Sequence, residues 1–159
     1  MARIRFFNAS IRNLIYRLRK FEYILEEELD NEIRDNMDFI IDAVARQMEE
    51  GYSGNDKPIA PPYSKKWKKV RQKAGLPIDR VTLKFTGDFH NSLYVEYGRA
   101  GVTRGGFKVY ASDEKAKYLI SRYGKQILRL SDENLKELLW TRIRPSLAKK
   151  LKKRYNIDS

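Results

Sequence analysis

The chain contains no cysteine, which excludes a disulfide framework, a thiol nucleophile and a cysteine-ligated metal site. Histidine is almost as scarce, because His90 is the single one. No partner of a Ser-His-Asp triad or of a histidine metal site stands at informative spacing from it. We therefore interpret His90 as a local hydrogen-bonding residue, and we expect a protein that is not an enzyme and holds no cofactor.

Long apolar runs and phosphate-binding glycine motifs are missing too. Residues 39–41 form one of the longest apolar stretches, far short of the roughly 20 residues that a membrane-spanning helix needs. Residues 1–5 lead into no signal-peptide apolar block. Glycines 98, 101, 105 and 106 follow no GxGxxG or GxxxxGKS spacing. These absences predict a soluble protein made inside a cell, without membrane contact.

Charge lies in blocks of opposite sign. The net charge is +12, yet residues 22–50 carry eleven acidic and two basic side chains. Residues 1–21 carry six basic and no acidic side chains, residues 57–84 nine and one, and residues 139–159 seven and one. Complementary blocks can set the neighbour and the register of a self-assembling subunit, whereas a free-standing nucleic-acid binder needs no acidic block. The pattern favours assembly.

The first third of the chain has the period of an amphipathic helix. From Ser10 to about Glu50, apolar residues recur every three or four positions. Ser10 is the expected N-cap and Gly51 the expected stop. An unbroken helix of about 40 residues would be about 60 Å long, so part of it must project or pack on something else. The alternative is two helices with a bend near Asn31 or Asn36.

A loop, a short basic helix and strands follow. Residues 51–63 hold three of the five prolines, which predicts a loop. Ser64 is the expected N-cap of a helix over 65–73, ended by Gly75. Alternating apolar residues predict a strand over 80–85.

Two further strands are predicted over 93–97 and 107–110, joined by a flexible, glycine-rich hairpin tip over 98–106. Ser112 is the expected N-cap of a helix over 113–122, and Ser131 the expected N-cap of a last helix.

Pro145 should kink or split that last helix. The element order predicts an α+β fold with a small, mainly antiparallel sheet, a long N-terminal amphipathic helix, a short basic helix and C-terminal helices. One domain is expected, with a long helix or arm over 1–50, an α+β core over 51–130, and a C-terminal helix with a basic tail over 131–159.

Two basic segments are candidates for contact with nucleic acid or a partner protein. Lysines interleaved with Trp67 can hold phosphates while the aromatic ring stacks. Alternatively, Trp67 and Val70 anchor a helix to the sheet and leave the lysines in water. Segment 149–154 is a basic helix end that suits the helix dipole and offers further cations. The candidate residues are Lys65, Lys66, Trp67, Lys68, Lys69, Arg71, Lys73, Lys149, Lys150, Lys152, Lys153 and Arg154.

Carboxylates crowd one part of the first helix and raise the question of a cation site. Consecutive helical positions point about 100° apart, so these side chains cannot converge without a second helix. We interpret them as a solvated or subunit-facing surface. They are Glu26, Glu27, Glu28, Asp30 and Glu32.

The segment from Gly54 to Gly124 resembles the core of the virion-morphogenesis and head-tail joining families of tailed bacteriophages. In those families a proline loop and a basic stretch precede an "L..TG.L..S" motif that enters a hairpin. Two departures stand out, since Ile59 replaces the usual tryptophan and Phe89 the usual leucine. The matching positions are Gly54, Pro58, Pro61, Thr86, Gly87, Phe89, Ser92, Leu93, Tyr123 and Gly124.

The motif also has a physical reading. Thr86 and Ser92 suit the caps of a single helical turn, Gly87 permits a backbone angle closed to other residues, and Phe89 and Leu93 can bury the corner. We call this segment the TG corner, residues 86–93.

The resemblance implies a structural virion protein at the phage neck, a head-tail joining or tail-completion subunit assembled in the host cytoplasm. It further implies a homo-oligomeric ring with portal (connector) and tail proteins around the DNA channel, with contact to packaged DNA an open question. The alternative is a nucleic-acid-binding module that uses segments 65–73 and 149–154. A hydrolase or nuclease is disfavoured by the missing catalytic residues.

Overall fold

The structure is a computed structural model that describes residues 2–98 and 105–155, with side chains from residue 11 onward. It is mainly helical with a two-stranded antiparallel sheet, which confirms the predicted α+β class. The elements are α1 (Ala2–Asp35), α2 (Met37–Glu49), α3 (Lys65–Lys73), α4 (Asp88–Asn91), β1 (Leu93–Tyr97), β2 (Phe107–Ala111), α5 (Ala116–Tyr123), a 3-10 turn (Lys125–Leu128), α6 (Asp132–Glu137), a π-helical segment (Leu138–Ile143) and α7 (Arg144–Tyr155).

The first helix is broken at Asn36, so the two-helix alternative is confirmed. The Asn36 amide side chain donates to the Glu32 carbonyl at 2.9 Å, as Asn does where it competes with the helix ladder. The expected N-cap at Ser10 is wrong, because α1 already begins at Ala2 and no glycine or proline before Ser10 stops the helix. Gly51 ends α2 with a φ of +88°, as predicted.

The hairpin is confirmed, and the strand predicted over 80–85 is wrong. Strands β1 and β2 pair with Val95 opposite Val109. Residues 81–83 are buried but join no strand ladder. Instead, the Thr82 and Leu83 amides both donate to the Tyr63 hydroxyl, at 3.1 and 3.2 Å. Burial does not alternate along this segment, since Val81, Thr82 and Leu83 are all buried while Phe85 is 44% exposed, and Leu83 has a φ of +54°, which a strand does not adopt. Of the predicted hairpin tip over 98–106, residues 99–104 lie outside the described residues.

The C-terminal helices follow the prediction in part. Ser131 caps α6, since its hydroxyl accepts from the Asn134 amide at 3.2 Å. The expected cap at Ser112 is wrong: α5 begins only at Ala116, after a turn in which the Asp113 carboxylate accepts from the Lys115 amide at 2.6 Å.

Pro145 does not split the last helix, because the chain stays helical from Asp132 to Tyr155 and Pro145 lies in the first turn of α7. The turn before it is the π-helical segment Leu138–Ile143, and Pro145 has no N–H to donate to the Thr141 carbonyl.

One hydrophobic cluster joins α2, the hairpin and the C-terminal helices. Its centre includes Ile40, Val44 and Met48 of α2, together with Ile127 and Leu138, all of which are fully buried. α2 therefore lies at the middle of the fold. The surfaces discussed below are arranged around it.

Candidate functional site

The TG corner has the geometry that its sequence predicted. Gly87 has a φ of +100°, in the left-handed region that favours glycine, and it begins the single turn α4. The Ser92 hydroxyl donates to the Phe89 carbonyl at 2.8 Å. Phe89 and Leu93 are buried, and Thr86 donates to the Asp88 carboxylate at 2.6 Å. The corner thus turns the chain from residues 77–85, which join no helix or strand and which we call the extended segment, into β1.

The motif position Gly54 contacts the turn that follows Gly124, a motif position far away in sequence. The Gly54 amide donates to the Gln126 carbonyl at 2.8 Å, in the turn that directly follows Gly124. A Cβ on Gly54 would lie 2.1 Å from the Arg129 carbonyl oxygen, which is backbone and cannot move aside. The proline loop therefore docks on this turn through a contact that only glycine permits.

We expect Gly54→Ala to destabilise the fold by about 3 kcal/mol, because backbone must shift to admit the methyl group. Gly75→Ala is the matched control, since Gly75 has a φ of +68° and open space around its Cβ position. It should cost only about 1 kcal/mol of backbone strain. Urea unfolding of both variants measures the difference, and equal losses would contradict the close approach.

Arg71 corrects the predicted set of contact residues. It is only 1% exposed. Its guanidinium donates to the carbonyls of Pro77 and Lys84 at 2.9 and 2.8 Å and to the Thr82 hydroxyl at 3.0 Å, and it lies 4.4 Å from the centre of the Tyr63 ring. Arg71 fastens α3 to the extended segment, so in this structure it is not available to nucleic acid or a partner.

The rest of α3 faces solvent. Its lysines are exposed, apart from the half-buried Lys68. Trp67 and Val70 are also partly exposed, so the anchoring role that one interpretation gave them belongs to Arg71. The Trp67 ring packs on Phe85, with centroids 5.1 Å apart. The exposed lysines are Lys65, Lys66, Lys69 and Lys73.

An apolar groove of about 440 Å³ lies between α3, the TG corner and α5; we call it the aromatic groove. Four motif positions line it together with cationic side chains. It is defined by Tyr63, Ser64, Trp67, Arg71, Leu83, Lys84, Phe85, Thr86, Gly87, Phe89, Lys115, Leu119, Arg122 and Tyr123. Sequence reasoning placed Leu119 inward, four residues before Tyr123 on the same helix face, but did not assign it to a groove. It missed Arg122, whose guanidinium lies 5.5 Å from the centre of the Tyr123 ring.

The C-terminal basic segment is partly used inside the molecule. Lys150 pairs with the buried Glu32 carboxylate at 2.7 Å, and the Ser146 hydroxyl donates to the same oxygen at 2.7 Å. Arg154 pairs with Glu28 at 2.8 Å. The hydrogen bond with Glu32 raises the pKa of Lys150. These two cations hold α7 on α1.

The other candidate cations of this segment, Lys149, Lys152 and Lys153, are exposed. Part of the acidic block of α1 is thus neutralised within the chain, which the charge pattern alone did not predict.

The N-terminal part of α1 carries a stripe of exposed apolar residues; we call residues 11–23 the arm. From Ile24, which is 7% exposed, the helix packs on the body of the protein. The arm also carries four cations, Arg12, Arg17, Arg19 and Lys20, and one acid, Glu22. Its stripe consists of Ile11, Leu14, Ile15, Leu18 and Phe21, which are between 41% and 59% exposed.

His90 lies buried between the extended segment and α2. Its Nε2 is 3.1 Å from the Thr82 carbonyl, and its Nδ1 is 3.5 Å from a Glu49 carboxylate oxygen. Within the described part of the chain, that Nδ1 is buried without a hydrogen-bond partner. Burial lowers the pKa of His90 despite the nearby Glu49 charge. The residue therefore acts structurally, as a neutral ring that hydrogen-bonds Thr82.

We expect the folded protein to lose stability as the pH falls below about 6.5, the ordinary pKa of histidine. The unfolded chain then binds a proton that the folded chain resists, at about 1.4 kcal/mol for each unit of pKa difference. Thermal unfolding between pH 7 and pH 5 measures the loss, which should be smaller in His90→Gln. The window isolates His90, the only histidine, because the lowered pKa of Glu49 acts below 4.5. If stability falls by the same amount between pH 7 and pH 5 in the wild type and in His90→Gln, His90 is not the group responsible for the loss.

Among residues 2–98 and 105–155, no group of acidic or histidine side chains is placed to hold a metal ion. Nor is any helix in those ranges long and apolar enough to cross a membrane. Comparisons with protein-family models, curated proteins and solved structures found no match to this chain.

Proposed function

We propose that this protein is a structural subunit of a tailed-bacteriophage neck, which joins a homo-oligomeric ring with portal and tail proteins around the DNA channel. The observation that carries the proposal is the arm, whose apolar stripe is exposed while α1 from Ile24 onward packs on the body of the protein. An exposed stripe of this kind marks a surface for association. The resemblance of segment 54–124 to the head-tail joining families is the reason for proposing that this association takes place at the phage neck.

The charges of the arm indicate what it associates with. Two arms packed side by side would bring their cations together, and like charges repel. An acidic surface suits the arm better, and α2 presents Asp38 and Asp42 to solvent. A contact between unlike surfaces of neighbouring subunits is heterologous, and it closes into a ring if the rotation permits.

The charge blocks suggest a further contact in the same ring, in which the lysines of α3 face the acidic block of a neighbour. Reversing Lys65, Lys66 and Lys69 to glutamate should then abolish assembly with portal and tail components. The matched control reverses Lys149, Lys152 and Lys153, which are also exposed and change the charge equally. Molar mass by light scattering reports the outcome, and normal assembly of the first variant would contradict the contact.

Nucleic-acid binding is the second candidate, because the lysines of α3 are exposed beside Trp67. It predicts that the isolated protein binds DNA with an affinity that falls steeply with salt. Both lysine triplets should then matter, since each neutralises phosphates. A neck subunit instead binds DNA weakly by itself and forms a discrete oligomer with its partners. Salt titration of DNA binding for the wild type and the two triplet variants separates the two functions.

A further inference from the structure

We propose that the aromatic groove binds an acidic peptide segment of a partner protein, with an apolar side chain of that segment inserted against its floor. The site is separate from the arm, and the proposal holds whether or not the arm drives assembly. Three properties of the groove support it: its floor, its charge and the arrangement of its rings.

The floor is apolar and already formed. Leu83, Phe89 and Tyr123 are buried beneath it, and Leu119 is half-buried at its edge. A volume of about 440 Å³ falls within the usual range of preformed binding pockets. A leucine or phenylalanine side chain of a partner would find apolar contacts there on several sides.

The charge of the groove is of one sign. Its lining includes Arg71, Lys84, Lys115 and Arg122 and no carboxylate. Arg71 is occupied by backbone carbonyls, so the other three are the cations at the rim. Lys84 pairs with Glu49, and Lys115 lies 3.4 Å from the exposed Asp88 carboxylate. Those two acids stand outside the groove, so the rim still favours a ligand with negative charge.

The arrangement of the rings favours a peptide over single-stranded nucleic acid. A nucleic-acid platform presents open aromatic faces on which successive bases stack. Here the Trp67 ring is packed on Phe85, and Phe89 and Tyr123 lie buried in the floor. Rings that pack on one another over an apolar floor are better suited to an inserted side chain than to a run of stacked bases.

Tryptophan fluorescence tests the proposal, in a Trp140→Phe background that leaves Trp67 as the only tryptophan. The probe is a short capped peptide with glutamates around a central Phe-Leu pair. We expect a saturable change in emission with a dissociation constant on the order of 100 μM. The same peptide with lysines in place of glutamates, and a short oligothymidylate, should cause no saturable change at that concentration.

Charge reversal locates the site. Lys115→Glu with Arg122→Glu should weaken binding of the acidic peptide at least about tenfold, since two rim cations become repulsive. Lys117→Glu with Lys125→Glu is the control, with equal charge change at exposed positions outside the lining. Circular dichroism confirms that both variants fold. The proposal is overturned if the acidic peptide does not bind, if oligothymidylate binds equally well, or if the control loses as much affinity.

Discussion

Replacing Leu18 with glutamate is expected to weaken assembly with portal and tail components by about 100-fold while leaving the fold intact. Leu18 is 59% exposed in the middle of the apolar stripe, so the free subunit tolerates a charge there. In the assembly the new carboxylate would lie unpaired in an apolar interface, at a cost of about 3 kcal/mol. Light scattering across a concentration series measures the shift of the assembly midpoint.

Tyr16→Glu is the matched control for this prediction. Tyr16 is 68% exposed, the charge change is the same, and its position two residues away places it on nearly the opposite side of the helix. Its assembly midpoint should stay close to that of the wild type. Equal effects at both positions would show that the net charge of the arm matters and that its apolar stripe does not.

Replacing Arg71 with methionine is expected to destabilise the fold by about 4 kcal/mol. The change leaves the partly buried carbonyls of Pro77 and Lys84 without their donors, and hydrogen bonds to a charged group are worth about 1.5–3 kcal/mol each. For a chain of this length, the melting temperature should fall by about 10 °C or more. Thermal and urea unfolding measure the loss.

Lys69→Met is the control on the same helix, because Lys69 is exposed and its loss should cost no more than about 0.5 kcal/mol. Suppose that the two variants have similar melting temperatures and that only Arg71→Met loses binding to nucleic acid or a partner protein. Arg71 would then be a contact residue, as predicted from the sequence. Such a result would contradict the structural role assigned to it.

Local chemistry explains which parts of the fold were predictable from the sequence. The TG corner was predicted well, because Gly87 and Ser92 act on backbone within a few residues of themselves. The caps at Ser64 and Ser131 depend on contacts three residues away, so the sequence pattern contained them as well. The break at Asn36 was foreseen only as an alternative, since helical periodicity continues across it.

The parts that were missed depend on contacts between distant segments. In the sequence, Arg71 cannot be distinguished from the neighbouring lysines of α3. Its buried position depends on hydrogen bonds to the carbonyls of Pro77 and Lys84, which only the folded chain brings close to it. The pairing of Lys150 with Glu32 joins residues at opposite ends of the chain. In segment 80–85, the backbone amides of Thr82 and Leu83 donate to the Tyr63 hydroxyl and not to a neighbouring strand. An alternating sequence pattern cannot predict which of these partners a backbone amide will have.

The most direct test of the structural role uses the absence of cysteine, because a Leu18→Cys variant carries a single thiol. The rate at which a soluble thiol reagent labels it is measured for the free subunit and for the subunit with portal and tail components. If the arm is the assembly surface, labelling should slow by about tenfold or more on assembly, as the stripe becomes covered. Equal labelling rates in a verified assembly would contradict the account.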